Sequence, residues 1–352
     1  ASEVGSGPTI PELDSLRRFL TPTEIEDLWS KPDQAHYHMA KKEVFSKLAV
    51  FSTALAHRYG APKDQADFLR KAQLTNYEAN RAQFEAFGRD FSDASNPATG
   101  VIYWMANNAW PTLYWHLWDH NLGTAGSYFG AKKALRPLHV QYSYDDRSIV
   151  LVNTGLAAKG GLTVRATAFG MDGRVLSDER APAVAEANAA KRVLTLPAPS
   201  GTNGTYLVRL LLADASGREI DRNVYWLSTK SDVLDYPQST WWYTPTVSYA
   251  DLTGLEGLAP ATVSSSSITF TADEEKVATE VTLRNTSQVV ALALRASLQG
   301  RDGAQVVPVR WSDNYVTLWP GESITLRADY RRRDLAPGSI PHVQVSGFNV
   351  RP

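Results

Sequence analysis

The hydrophobic periodicity of this chain changes once, near residue 137, and that change restricts the folds open to it. Before it the pattern is helical. Phe45, Leu48, Phe51 and Leu55 recur at steps of three and four, so residues 43–59 predict a helix with one apolar face, stopped by Gly60 and Pro62. Residues 63–87 hold neither Gly nor Pro and predict a second, long helix closed by Gly88. A short helix is expected over 124–135. Val101–Met105 is a continuous apolar run bounded by turn residues, which predicts a strand buried on both faces.

After residue 137, short β-branched or alternating runs follow one another: Ile149–Val152, Leu162–Phe169, Tyr206–Leu212, Asn223–Leu227, Ile268–Ala272, Val277–Leu283, Val289–Leu298, Val316–Trp319, Ile324–Tyr330 and Val343–Phe348. Asp172-Gly173, Ser216-Gly217 and Asp302-Gly303 punctuate them. Such spacing points to sandwiches rather than α/β units. An internal repeat supports a pair. Residues 150–173 and 281–303 each run a strand into Asn-Thr, then a second strand, then an Asp-Gly turn. Two immunoglobulin-like β-sandwiches, 138–235 and 236–352, are the economical reading. Ser264–Ser267 reads as a flexible loop. The first 137 residues pose a problem, because one buried strand makes no sheet with itself and a complete (β/α)₈ barrel takes about 250 residues. On physics alone, that segment looks like the end of an α/β domain.

Composition removes several function classes. The 352 residues contain no Cys, which excludes disulfide frameworks, Cys-ligated zinc and thiol nucleophiles. A net charge of −1 speaks against electrostatic binding of nucleic acid. No run of 18 apolar residues is present to span a membrane as a helix, and the first residues show no signal-peptide pattern. Phosphate-cradling glycine motifs are absent, and no cofactor is expected. His36 and His38 read as surface or hydrogen-bonded histidines rather than metal ligands. Arg331–Arg333 reads as a solvated strand end. Asn203-Gly-Thr and Asn285-Thr-Ser are glycosylation acceptors only in a source that glycosylates.

Aromatic residues stand out, with 10 Trp and 15 Tyr. Residues 103–119 pack Trp104, Trp110, Tyr114, Trp115 and Trp118 beside the adjacent amides Asn107 and Asn108. An indole face stacks on the C–H face of a sugar, and an amide can bond a hydroxyl. The competing reading is that these rings glue elements together. That is the expectation for at least two of the four Trp, while Trp104 and Trp110 are the candidates to face a substrate, with Asn107 between them. Trp241 and Trp242 could bind carbohydrate, although a core or interdomain contact is the simpler reading for them.

Several stretches together resemble the C-terminal part of exo-β-D-glucosaminidases of glycoside hydrolase family 2. They are residues 2–22, 57–87, 96–119, 126–153, 216–232 and 311–323. The Trp104-x-x-Asn107-x-x-Trp110-Pro111 spacing is shared with β-mannosidases of that family. The resemblance implies a multidomain α/β plus all-β protein. Residues 1–137 would be the last part of a (β/α)₈ TIM barrel with Val101–Met105 as its eighth strand, followed by the two sandwiches. It implies a retaining glycosidase in which Glu3, ahead of Gly7-Pro8-Thr9-Ile10-Pro11, is the nucleophile. Its acid/base glutamate and its amine-recognising carboxylates would lie outside this chain. The expected substrate is chitosan or its oligosaccharides, the expected partner the missing N-terminal half, the expected location extracellular, and the chain alone inactive. A β-mannosidase or β-galactosidase, or a non-catalytic carbohydrate-binding fragment, remain alternatives.

Overall fold

The computed structural model describes residues 3–41, 43–202, 204–301, 303–335 and 339–350. Within them, helices occupy the first 135 residues: α1 (Leu13–Leu16), α2 (Pro22–Ser30), α3 (Ala49–Tyr59), α4 (Gln65–Asp90) and α5 (Gly126–Ala134). Thr21 opens α2 with a capping box, its hydroxyl accepting from the Glu24 N–H while the Glu24 side chain accepts from the Thr21 N–H. Asp64 caps α4 by accepting from the Asp67 N–H at 2.8 Å.

Two helix boundaries depart from expectation. Residues 43–59 do not form one helix: a 3-10 turn at Glu43–Ser46 precedes α3, because the Leu48 N–H donates to Pro32 O at 3.0 Å instead of within the helix. Gly88 does not close α4. It lies where the helix crosses the first sandwich, and a Cβ there would sit 3.3 Å from Gln141 Oε1, so close packing is its role.

Sixteen strands follow among the described residues. In the first sandwich, β1 (Leu138–Tyr142), β2 (Ser148–Asn153) and β5 (Ala189–Thr195) form one sheet in the order β1-β2-β5. It faces a sheet of β3 (Lys159–Gly170), β4 (Val175–Ala185), β6 (Thr205–Ala213) and β7 (Glu219–Ser228) in the order β4-β3-β6-β7. A small hairpin, β8 (Val233–Leu234) with β9 (Thr246–Ser248), links the two sandwiches. In the second, β10 (Val263–Thr271), β11 (Lys276–Asn285), β13 (Arg310–Trp311) and β15 (Ser323–Arg331) run β10-β11-β15-β13. They face β12 (Ala291–Gln299), β14 (Val316–Leu318) and β16 (His342–Ser346), ordered β14-β12-β16. All these pairings are antiparallel. The repeat is physical. Asn153 and Asn285 are both buried at the ends of β2 and β11. Each accepts from the N–H two residues on and donates to the carbonyl four residues on. The Thr that follows each donates its N–H to the residue just before the first strand, Pro137 or Thr262. Burial of Asn285 removes it as a glycosylation acceptor; Asn203 and Asp302 lie outside the described residues.

Two further expectations are overturned. Ser264–Ser267 is not a loop but lies in edge strand β10, paired residue by residue with Val281–Arg284, since backbone pairing at an edge requires no apolar side chain. Val101–Met105 is not a strand buried on both faces. Its pairing is one isolated parallel bridge, Tyr103 with Val4, and Ile102 is 64% exposed. The run bonds Val4 on one side and, through the Met105 N–H, Trp115 O on the other, too few contacts to make a strand, and no parallel sheet forms among the described residues. The architecture is therefore mostly β, with two sandwiches behind a helical region.

The elements share their cores unequally. The core between the sheets of the first sandwich, Val140 to Leu227, draws only on its own strands. The other core is continuous from Ile10 through Leu113 and Phe129 to Phe348, taking in Phe169, Leu207 and Trp226 from the outer face of the first sandwich. Charges bind the same junction. Glu12 meets Arg295 at 3.2 Å and receives the Tyr315 hydroxyl, tying the first residues to the second sandwich.

Candidate active site

Glu3 opens a segment that three elements hold. On one side the Val4 N–H donates to Ile102 O at 2.9 Å and the Trp104 N–H donates to Val4 O at 2.7 Å. On the other the Thr9 N–H donates to Leu113 O at 2.9 Å and the Trp115 N–H to Gly7 O at 3.2 Å. Behind it lies α4. Gln73, Asn76 and Asn80 fall three and four residues apart, on one helix face. Gln73 Nε2 donates to Ile10 O (3.0 Å), Asn76 Nδ2 to Pro8 O (2.7 Å) and Asn80 Nδ2 to Ser6 Oγ (2.9 Å), and Asn76 Oδ1 accepts from the Ile10 N–H (2.9 Å). These amides are buried, where an unmade bond would cost about 1–3 kcal/mol, so they fix the segment. Gly5 sits where a Cβ would come within 2.8 Å of Trp104 O and 2.9 Å of Trp115 Cδ1, which holds the glutamate segment against the Trp104 backbone and the Trp115 indole. The Glu3 side chain is exposed and enters no ion pair among the described residues.

The aromatic stretch divides into outward and inward residues. Trp104 is 47% exposed, Trp110 43% exposed, and Asn107 exposed. Asn108 is buried, donating to Tyr114 O at 3.2 Å and to His116 Nδ1 at 2.9 Å. Tyr114 is buried, its hydroxyl bonded to the carbonyls of Val44 and Lys47. Trp115 packs on Phe45 and Trp118 on Tyr128. His116 is wholly buried, and burial pushes its pKa down to about 4, so its imidazole is neutral. The peptide bond between Trp104 and Met105 is cis. Three rings thus anchor the stretch, and Trp104 and Trp110 turn outward with Asn107.

The residue patterns alone did not single out two contributors. One is the α4 amide row, visible as Gln/Asn at helical spacing. The other is Tyr37, which lay between two histidines judged only for metal binding. Tyr37 stands at 81° to Trp110 with centroids 5.5 Å apart, and the His38 ring stacks on Trp110 at 5.8 Å. Of the other Trp pair, Trp242 packs on Phe45 as an interdomain contact, whereas Trp241 is 90% exposed at the tip of the β8–β9 connection. No group of three or more metal-ligating side chains occurs among the described residues.

Two immunoglobulin-fold domains thus stand behind a helical region that bears exposed tryptophans and an exposed glutamate. Residues 241–350 match the family described as exo-β-D-glucosaminidase Ig-fold domain, and residues 145–230 match the mannosidase Ig/CBM-like domain. The chain is 52% identical to an exo-β-D-glucosaminidase of Streptomyces avermitilis over 99% of its own length and 39% of that relative. The exo-chitosanase CsxA of Amycolatopsis orientalis, solved in complex with PNP-β-D-glucosamine, matches with a TM-score of 0.96 at 41% identity, over 99% of this chain and 41% of that one. A β-D-mannosidase from Dictyoglomus thermophilum shares the fold, with a TM-score of 0.65 at 17% identity over 99% of this chain and 37% of that one. The chain corresponds to the C-terminal part of exo-β-D-glucosaminidases. It spans about two fifths of the length of these curated relatives.

Proposed function

We propose that this chain is the C-terminal portion of a retaining exo-β-D-glucosaminidase that releases terminal glucosamine from chitosan oligosaccharides, with Glu3 as its nucleophile. In this reading residues 1–137 complete a (β/α)₈ barrel whose other strands, acid/base glutamate and amine-recognising carboxylates come from the N-terminal half of the same protein. The observation that carries it is the parallel bridge between Val4 and Tyr103, which lays the segment that begins at Glu3 alongside the segment that bears the outward-facing Trp104. Sites built at strand ends suit barrel hydrolases.

The chemistry follows from one carboxylate on each side of the glycosidic bond, about 5–5.5 Å apart in a retaining enzyme. The Glu3 carboxylate attacks the anomeric carbon as the partner acid protonates the departing oxygen, giving a glycosyl ester and a free hydroxyl on the shortened chain. The partner, now a base, takes a proton from water. The water oxygen then attacks the same carbon, releasing glucosamine and the Glu3 carboxylate. Trp104 offers an indole face to the sugar and Asn107 a hydrogen bond. The polymer is too large to enter a cell readily, so export belongs to the same proposal. No helix among the described residues is long and apolar enough to cross a membrane.

The test uses the full-length enzyme. Glu3→Gln should lower kcat on chitosan oligosaccharides by about a thousandfold or more, because no covalent intermediate can form. Near-normal turnover by the variant, or faster hydrolysis of β-mannosides or β-galactosides than of β-glucosaminides by the native enzyme, would overturn the assignment.

A further inference from the structure

Tyr37 has no evident structural duty, being 77% exposed on the loop between α2 and the 3-10 turn. Yet the ring is set. It stands edge-on to His38 (5.2 Å, 89°) and edge-on to Trp110 (5.5 Å, 81°). His38 is itself fixed. A ring nitrogen hydrogen-bonds Pro111 O at 2.8 Å, its carbonyl accepts from the Leu113 N–H at 3.0 Å, and Phe19 packs against it at 4.8 Å. Its ring covers one face of Trp110, nearly parallel at 28°, and the indole still remains 43% exposed. The outcome is an open corner of two aromatic rings at nearly a right angle, backed by a third.

We propose that this Tyr37–Trp110 corner binds the sugar on the leaving-group side of the cleaved bond, the second residue of a β-linked aminosugar chain. The proposal rests on the exo-glucosaminidase reading above and deepens it. One ring offers a flat face to the C–H face of a pyranose, and the perpendicular ring stops it from sliding. Rigid aromatic side chains lose little conformational entropy when they do so. The site divides spatially between two sugars. Trp104 is hydrogen-bonded into the Glu3 segment at Val4, next to Glu3 itself, whereas the loops of Tyr37 and Trp110, joined to each other through His38, Pro111 and Leu113, meet that segment further along, at Thr9.

The test compares a ligand that reaches both sugars with one that reaches only the terminal site. In the full-length enzyme, Tyr37→Ala should raise KM for glucosamine tetrasaccharide about tenfold. It should leave kcat and the inhibition constant of free glucosamine unchanged. Tyr37→Phe, which keeps the ring, should stay within about twofold of the native enzyme. An unchanged KM for the tetrasaccharide would overturn the proposal. So would a parallel weakening of glucosamine binding, which would place Tyr37 in the terminal-sugar site. If the native enzyme cleaves no glucosaminide at all, the underlying activity fails instead.

Discussion

At the scale of single residues, the most constrained group is a buried chain of charges. His139 is wholly buried, with Nδ1 2.8 Å from Asp221 and Nε2 3.0 Å from Glu85. Both ring nitrogens face carboxylates, so both must donate and the imidazole must be protonated. Burial opposes that charge, but Asp221 and then Glu85 outweigh it and hold the pKa above the usual 6.5. Asp221 is likewise opposed by burial, yet His139 and Arg136 hold it down to about 2. A proton bound more tightly in the folded state stabilises it fully below pH 6.5, and that contribution fades as pH climbs through the raised value. The Asp221 contribution is present above its ordinary 3.8 and is lost as pH falls toward 2. His139→Gln should therefore cost about 3 kcal/mol near neutral pH, because it leaves buried Glu85 without its cation and Asp221 with Arg136 alone. Urea melts from pH 5 to 9 check this. If the alkaline loss of stability persists in the variant, His139 is not its source. Glu85, His139 and Asp221 lie far apart in the chain, and nothing in their spacing revealed the cluster. Glu3, Trp104, Asn107 and Trp110 became candidates because they sit in short contiguous motifs, and all four are exposed.

At the scale of elements, α4 is the organiser. Its amide row grips the Glu3 segment, and its far half carries Arg81, buried over the Tyr225 ring at 3.8 Å and hydrogen-bonded to Asn223 at 3.1 Å. On another face it receives α5 at backbone contact. A Cβ on Gly126 would lie 2.3 Å from Gln73 O, and one on Gly130 would lie 2.1 Å from Tyr77 O. Neither carbonyl can move without breaking helical hydrogen bonds. Gly130→Ala should cost about 3 kcal/mol, at the upper end for overpacking, read as a lowered Tm by calorimetry. A Tm within a degree of the native value would refute it. The helix ending at Tyr59 was legible from the period of its apolar residues, and α4 from a long run of helix formers without Gly or Pro. The edge strands were not. β4 (Val175–Ala185) carries charged residues and Pro182, which an edge tolerates and a periodicity search passes over. The run at 101–105 erred in the other direction, since continuous apolarity states what a segment can bury and not whether a neighbour is present.

At the scale of the whole molecule, the two sandwiches share the order of six strands but not their independence. The first closes a core from its own strands, whereas the second shares one core with the helical region. A fragment of residues 138–232 should melt cooperatively on its own. A fragment of residues 258–350 should melt at least about 10 °C lower or bind a hydrophobic dye, since it uncovers apolar surface that the helices bury. Circular dichroism on the two fragments decides it, and equal cooperative melting would refute the shared-core account. By itself the sequence determined the helical and β halves, the two-sandwich repeat and the family resemblance, because periodicity, turn residues and contiguous motifs are local. Tertiary structure alone decided which tryptophans turn outward, that Tyr37 stands against Trp110, and that His139 joins two carboxylates. Those depend on segments brought together across tens of residues, and a linear pattern does not carry that proximity.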